Sequence, residues 1–133
     1  MSKLRTVYDL VGGDPFFKDL TNKFYDKIDK DELIRYMFPE SLENPKNWNF
    51  LFLRKIFGGP DDYIPLRGNP MMRRRHLPFK IGLKERNRWL FLMLESLDEL
   101  GINIEHKARP LMQYYFEHMA TKMINQPIDA NEF

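Results

Sequence analysis

The sequence predicts a single all-α domain over residues 1–133. Its apolar residues recur at the three- and four-residue spacing of amphipathic helices, and no segment alternates as a half-buried strand would. Glycine and proline residues divide the chain into helix-sized pieces, and 133 residues is a usual length for one domain. The absence of cysteine excludes disulfides, cysteine nucleophiles and thiolate metal sites.

Two helices are predicted in the first thirty residues. A short helix over residues 3–11 ends at Gly12 and Gly13, which permit a sharp turn. The next helix begins with Asp14 as its N-cap and with Pro15 at its first helical position. Its apolar stripe is formed by Phe17, Leu20, Thr21, Phe24, Tyr25 and Ile28.

The middle of the chain predicts one long helix between less regular segments. A short helical piece at residues 32–36 stops before Pro39, because a proline disfavours the helical conformation in the residue before it. A long helix follows over residues 44–57, with Pro45 in its first turn. Residues 60–70 contain three prolines and show no period, so we expect an irregular loop of functional importance there.

The C-terminal half predicts a very short helix and two long ones. Residues 71–76 can form only a turn or two, because a proline follows closely. The next helix carries a clean apolar stripe and ends at Gly101. The last helix covers residues 104–124, and it either begins late or kinks at Pro110. Residues 125–133 are polar and without period, which predicts a frayed tail.

Positive charge is concentrated in one part of the chain. The whole sequence is nearly balanced at net +2, which argues against uniform polyanion binding. Residues 67–88 nevertheless hold eight basic side chains and one acidic side chain, a net charge of +7. This stretch suits either a local anionic ligand or partner, or an ordinary solvated face.

Aromatic residues make up 14% of the chain, and eight methionines add to this apolar content. His76 ends the predicted short helix, and Phe79 behind it offers a flat apolar surface. Arg73 and Arg75 are suited to binding carboxylates beside the imidazole. An axial histidine, guanidinium groups and many aromatic rings are what a haem with two propionates requires, although a lone histidine is more often a surface residue.

Several motifs resemble those of the group II truncated haemoglobins. They are Gly12-Gly13, Phe24-Tyr25, Phe38-Pro39-Glu40, Gly58-Gly59-Pro60, Tyr63, Arg67-Gly68-Asn69-Pro70, MMRRRHLPF at residues 71–79 and ERNRW at residues 85–89. They occur in the family's order and spacing from about residue 7 to residue 125. The resemblance implies a two-over-two helical sandwich around haem b, with two glycine breaks and a proximal helix of about one turn.

The resemblance also implies roles for individual residues. His76 matches the proximal iron ligand, and Tyr25 and Trp89 match hydrogen-bond donors to the bound gas. Pro45 and Asn49 match the two positions of the distal helix that face the ligand. Three phenylalanines are expected to pack against the haem ring: Phe38, Phe52 and Phe79. The expected partners of the propionates are Tyr63, Arg73 and Arg75.

The chain departs from the family at two positions. Asn69 stands where members commonly carry a second histidine, and we expect this to change loop hydrogen bonds rather than the iron site. Pro45 stands where members usually have a small or hydroxylated residue, so it cannot act as a polar gate for ligand entry.

These expectations describe a haem b protein that binds dioxygen, nitric oxide and carbon monoxide. Two donors beside the ligand favour nitric oxide dioxygenase or peroxidase-like chemistry over bulk oxygen transport, with an external reductant such as an acidic reductase. We expect a cytoplasmic monomer or homodimer without a membrane span or nucleic-acid partner. The alternative is a haem-free helical interaction module that uses the basic stretch at residues 67–88.

Overall fold

The computed structural model describes residues 5–127, and the regular structure in that range is helical throughout. The α-helices are α1 (Val7–Val11), α2 (Asp14–Asp29), α3 (Glu43–Ile56), α4 (Tyr63–Arg67), α5 (Met72–His76), α6 (Leu83–Glu99) and α7 (Arg109–Lys122). Helix α2 packs against α3, helix α6 packs against α7, and the two pairs meet where α2 contacts α6. The predicted all-α class and two-over-two arrangement are confirmed.

Helix α1 is shorter than predicted. The expectation was a helix over residues 3–11, but residues 5 and 6 are not helical, and residues 3 and 4 lie outside the described range. Thr6 accepts a hydrogen bond from the Asp9 amide at 3.2 Å, and Asp9 Oδ2 accepts one from the Thr6 amide at 3.1 Å. This reciprocal capping box starts the helix at Val7.

Helix α2 buries every residue of its predicted stripe, but its cap differs from the prediction. Gly13, with φ of 79°, is the N-cap, and Asp14 is already the first helical residue. The half-buried Asp14 carboxylate does not cap its own helix and instead accepts hydrogen bonds from Tyr8 Oη at 2.7 Å and from Arg54 Nη1 at 3.0 Å.

The prediction of an irregular loop over residues 60–70 was wrong in part, because α4 lies inside it. Asp61 Oδ1 accepts hydrogen bonds from the amides of Tyr63 and Ile64 and so caps the start of this helix. Pro65 is the third helical residue, where the missing N–H has no partner to lose. Upstream, the short piece expected at residues 32–36 is a 3-10 turn at Arg35–Met37.

The other predicted helices agree with the structure to within a few residues. Helix α5 ends at His76 as expected, and α7 begins at Arg109 with Pro110 in its first turn, so the last helix starts late rather than kinking. The frayed-tail prediction was wrong for Asn125, which is hydrogen-bonded to Ile81. Residues 128–133 lie outside the described range. Within residues 5–127, no helix combines the length and apolarity needed to cross a membrane.

Candidate functional site

A cavity of about 650 Å³ lies between the two helix pairs and is closed on one side by α5. This volume is within the usual range for a small-molecule or cofactor site. Ten of the eleven predicted site residues line it: Tyr25, Phe38, Pro45, Asn49, Phe52, Tyr63, Arg75, His76, Phe79 and Trp89. The chain therefore brings together residues that are up to 64 positions apart in sequence, from Tyr25 to Trp89.

His76 is the half-buried histidine of this cavity, and its orientation is set by the backbone. Its Nδ1 lies 2.6 Å from the Met72 carbonyl oxygen. Because a carbonyl can only accept, this contact places the proton on Nδ1 and leaves the Nε2 lone pair free. A backbone partner on one ring nitrogen is the usual arrangement for a metal-binding histidine.

The other two histidines do not line the cavity. His106 Nδ1 accepts a hydrogen bond from the Ala108 amide at 3.0 Å, which uses that nitrogen in the loop before α7. His118 is exposed on α7 and stacks on Tyr114. Among residues 5–127, no three side chains of metal-binding type are grouped as a site. A single imidazole with a free Nε2 fits a haem, since the macrocycle supplies the other nitrogen donors.

Several polar side chains in the cavity wall have no hydrogen-bond partner among the described residues. Three of them are predicted contacts of the bound gas: the Tyr25 hydroxyl, the Asn49 amide and the Trp89 indole N–H. Burial raises the pKa of the Tyr25 phenol far above its ordinary value of 10.0, so it stays protonated and can donate. Leaving a buried donor such as the Tyr25 hydroxyl unpaired costs free energy, and a polar ligand in the cavity can supply the missing hydrogen bond; Asn49 and Trp89 are half-buried.

Neighbouring rings hold the two aromatic donors in place. Tyr25 makes edge-to-face contacts with Phe24 and Phe38, at ring-centroid distances of 5.3 and 5.8 Å. Trp89 makes similar contacts with Phe24 at 5.4 Å and Phe116 at 6.0 Å. Such contacts favour defined ring orientations, so the donors are directed before any ligand enters.

The distal side of the cavity is formed by α3. Pro45 is the third residue of that helix, where it costs no backbone hydrogen bond, and its ring faces the cavity. Asn49 follows one turn later on the same face. Asn69, the other departure from the family, does not line the cavity; its Oδ1 accepts a hydrogen bond from the Met71 amide at 3.1 Å.

The structure does not bring Arg73 to the cavity, although the sequence suggested it as a propionate partner. Its Nη1 donates instead to the carbonyls of Lys122 and Ile124, both at 2.7 Å. Arg75 does line the cavity, and its Nε donates to the Pro70 carbonyl at 2.6 Å.

Arg67 lines the cavity and was missed as a site residue. Its guanidinium lies over the rings of Trp48 and Tyr63, at 4.9 and 5.9 Å from their centroids. Arg67 follows Tyr63 by four residues on α4, so the two side chains share a helix face. That spacing was the available signal, but it has meaning only once residues 63–67 are known to be helical.

Comparisons with known proteins agree with this geometry. The model of the bacterial-like globin family matches residues 6–125. Group 2 truncated hemoglobin YjbI of Bacillus subtilis is 32% identical over 119 residues, covering 90% of this chain and 88% of that protein. The solved hemoglobin of Chloroflexus aurantiacus is 41% identical, with a TM-score of 0.87 over 92% of this chain and all of the other. The group II truncated hemoglobin of Bacillus anthracis is 29% identical, with a TM-score of 0.91 over 99% of this chain and all of the other.

Proposed function

This chain belongs to the bacterial-like globin family, as a group II truncated haemoglobin, and from that premise we propose that it holds haem b in the cavity and binds dioxygen, nitric oxide and carbon monoxide there. The family implies haem-based ligand binding. One observation carries the assignment to this chain: His76 faces the cavity with Nδ1 bound to the Met72 carbonyl and Nε2 free. When bound, the haem supplies an iron centre with an open position for a diatomic gas.

We assign His76 as the iron ligand and the rings of Phe38, Phe52 and Phe79 as the walls around the macrocycle. The haem propionates would meet Arg75, Tyr63 and the newly found Arg67 at the cavity edge. Tyr25, Asn49 and Trp89 approach from the opposite helices with unpaired polar groups.

The unpaired donors favour retention of dioxygen. Dioxygen held at the iron would carry partial negative charge, and the hydroxyl of Tyr25 and the N–H of Trp89 would stabilise that charge in a water-poor cavity. Slow release suits consumption of the gas better than its transport. Nitric oxide, dioxygen and one electron together give nitrate, so nitric oxide detoxification balances if a reductant returns the electron. Peroxide removal needs the same external reductant.

The basic side chains of residues 67–88 supply a docking surface for that reductant. We define the basic face as Arg74, Lys84, Arg86 and Arg88, which lie close in sequence to the iron-ligand segment. Within residues 67–88, Arg88 is the one cation that makes an ion pair with a carboxylate among the described residues, through Asp31 at 3.0 Å. The remaining positive charge suits an acidic electron-transfer protein. The alternative, a haem-free interaction module, leaves the unpaired polar groups of the cavity without a role.

Colour tests the proposal directly. The chain expressed with adequate haem should be red, with a Soret band that shifts under carbon monoxide. His76→Gly should lose haem or require added imidazole, whereas His118→Gly should keep the wild-type spectrum despite losing about 1 kcal/mol of helix stability. A colourless wild-type protein that cannot be reconstituted would support the interaction module. Normal proximal coordination in His76→Gly would refute the ligand assignment.

A further inference from the structure

The residues just after α7 are hydrogen-bonded to the segment that carries His76. Asn125 lies just beyond α7, and it makes four hydrogen bonds to residues 76–81. Its backbone amide donates to the Ile81 carbonyl at 2.8 Å, and its Oδ1 accepts from the Ile81 amide at 2.9 Å. Its Nδ2 donates to the carbonyls of Phe79 at 2.7 Å and His76 at 3.3 Å. One side chain thus pairs with three backbone groups of a turn that is 44 to 49 residues away in sequence.

An asparagine is well matched to this position. The contacts require one acceptor and a two-proton donor on the same short side chain, and the primary amide supplies both. Aspartate has the same shape, but its carboxylate would face the carbonyl oxygens of Phe79 and His76. Asn125 is half-buried, so water can replace its hydrogen bonds only in part.

Arg73, which precedes His76 on α5, makes a second connection between the two segments. It stands on α5 and donates to the carbonyls of Lys122 and Ile124 at the end of α7. The last carbonyls of a helix lack partners within the helix and carry partial negative charge, so a guanidinium is stabilising there. The stretch from Arg73 to Ile81 is therefore tied to the end of α7 at both of its ends.

Helix α5 needs such external ties. It has five residues, which is too short for a stable helix in isolation. Its N-cap residue, Met71, has the unusual φ of 47° for a non-glycine residue. The end of α7 is itself part of the cavity, since Ala120 and Met123 line it. Movement of α5 relative to α7 would thus move His76 relative to the cavity wall.

We propose that Asn125 and Arg73 form a clamp that positions the His76 imidazole, so that the C-terminal segment controls the bond between the proximal histidine and iron. This inference rests on the proposed haem site. Neither residue touches the cavity, and both act through the backbone of the segment that carries His76.

The test uses Asn125→Ala with Asn103→Ala as the matched control. The Asn103 side chain accepts one backbone hydrogen bond, from the Glu105 amide, in the loop between α6 and α7. In the ferrous haem-loaded protein, we expect Asn125→Ala to shift or broaden the iron–histidine stretching band in resonance Raman spectra. We also expect haem to transfer to an excess of apomyoglobin about five-fold faster than from the wild type. Asn103→Ala should change neither. An unshifted band and unchanged transfer in folded Asn125→Ala would overturn the clamp.

Two further measurements keep the inference testable if Asn125→Ala folds poorly. Arg73→Gln removes the other connection and should move the same band in the same direction, and an unmoved band would count against the clamp. In the haem-free protein, hydrogen exchange at the Ile81 amide should be about five-fold faster in Asn125→Leu, whose side chain has no acceptor for that amide, than in the wild type. Failure of the wild type to bind haem would refute the haem site, whereas an unchanged exchange rate in the haem-free variant would refute the clamp by itself.

Discussion

At the scale of single residues, the cavity brings three unpaired polar groups toward one volume from three different helices. Tyr25 comes from α2, Asn49 from α3 and Trp89 from α6. Tyr25 and Trp89 pack their rings into the apolar wall, and the polar groups of all three side chains stay unpaired among the described residues. A small polar ligand can therefore meet directed hydrogen bonds without rearranging the core.

Removing one donor should loosen the bound gas. Trp89→Phe and Tyr25→Phe each delete a donor and keep an aromatic ring in the wall. We expect each to raise the dioxygen dissociation rate by about ten-fold or more, since hydrogen bonds to charged groups are the stronger class. Stopped-flow displacement of dioxygen measures the rate, and Tyr114→Phe, an exposed tyrosine of α7, is the control. An unchanged rate in Trp89→Phe would remove its assigned role.

Two arginines show how a residue's role depends on its surroundings. Arg73 is nearer to His76 in sequence, yet it binds the end of α7. Arg67 is nine residues from His76, yet it lines the cavity above Trp48 and Tyr63. Sequence proximity suggested Arg73 as a propionate partner. That prediction was wrong, because side-chain direction on a one-turn helix cannot be read from spacing alone.

At the scale of elements, one buried arginine joins the N-terminal helices to the segment after α3. Arg54 is 8% exposed; it contacts Asp14 at 3.0 Å and also Asp62. Gly59 lies so close to this cluster that a Cβ atom there would be 2.5 Å from the Tyr8 ring. The glycine after α3 is thus required by close approach, in addition to ending the helix.

Acid should weaken this connection. The hydrogen bond from Tyr8 and the charge of Arg54 hold the pKa of Asp14 below its ordinary value of 3.8, despite some desolvation. A lowered folded-state pKa stabilises the fold above the unfolded pKa, and this contribution disappears as pH falls through the folded value. Asp14→Asn should therefore be less stable than the wild type near neutral pH, and the difference should shrink in acid.

Urea unfolding at a series of pH values measures that difference. Asp26→Asn, which changes an exposed carboxylate of α2 without an ion pair among the described residues, is the control and should show a smaller difference at neutral pH. A gap between the wild type and Asp14→Asn that stayed constant from neutral to strongly acidic pH would contradict the assigned role of the carboxylate.

At the scale of the whole molecule, a net charge of +2 conceals an uneven distribution. Nine ion-pair contacts join described residues, but the basic stretch at residues 67–88 takes part in one of them. Uncompensated charge of one sign attracts an oppositely charged partner over a distance set by the ionic strength.

Reduction by an acidic protein should depend on that charge. We expect the second-order rate of reduction of the haem-loaded protein by reduced flavodoxin to fall steeply with salt. Charge reversal by Arg74→Glu and Lys84→Glu together should lower the rate about ten-fold at low salt. Lys107→Glu, in the loop before α7, should have a small effect, and a small neutral reductant should not distinguish the variants. Salt-independent reduction by flavodoxin would remove the docking surface.

The agreement between prediction and structure follows the range of the interactions involved. The stripe of α2, the end of α6 at Gly101 and the short helix before His76 were predicted, because local spacing and backbone preferences decide them. Helix α4 was missed since its cap, Asp61, lies within a proline-rich stretch that lacks a period.

Helix periodicity and caps act over a few residues, so they predict the helical class and most helix boundaries from the amino-acid sequence. The roles predicted for the cavity residues came mainly from the resemblance to the group II truncated haemoglobins. The packing of the helices was needed to show that Arg73 binds the end of α7, that Arg67 reaches the cavity and that Asn125 holds the His76 segment. These contacts join groups that are 44 to 51 residues apart, or depend on which face a short helix presents. No periodic pattern records such pairings, since they arise when separate helices pack and satisfy one another's backbone groups.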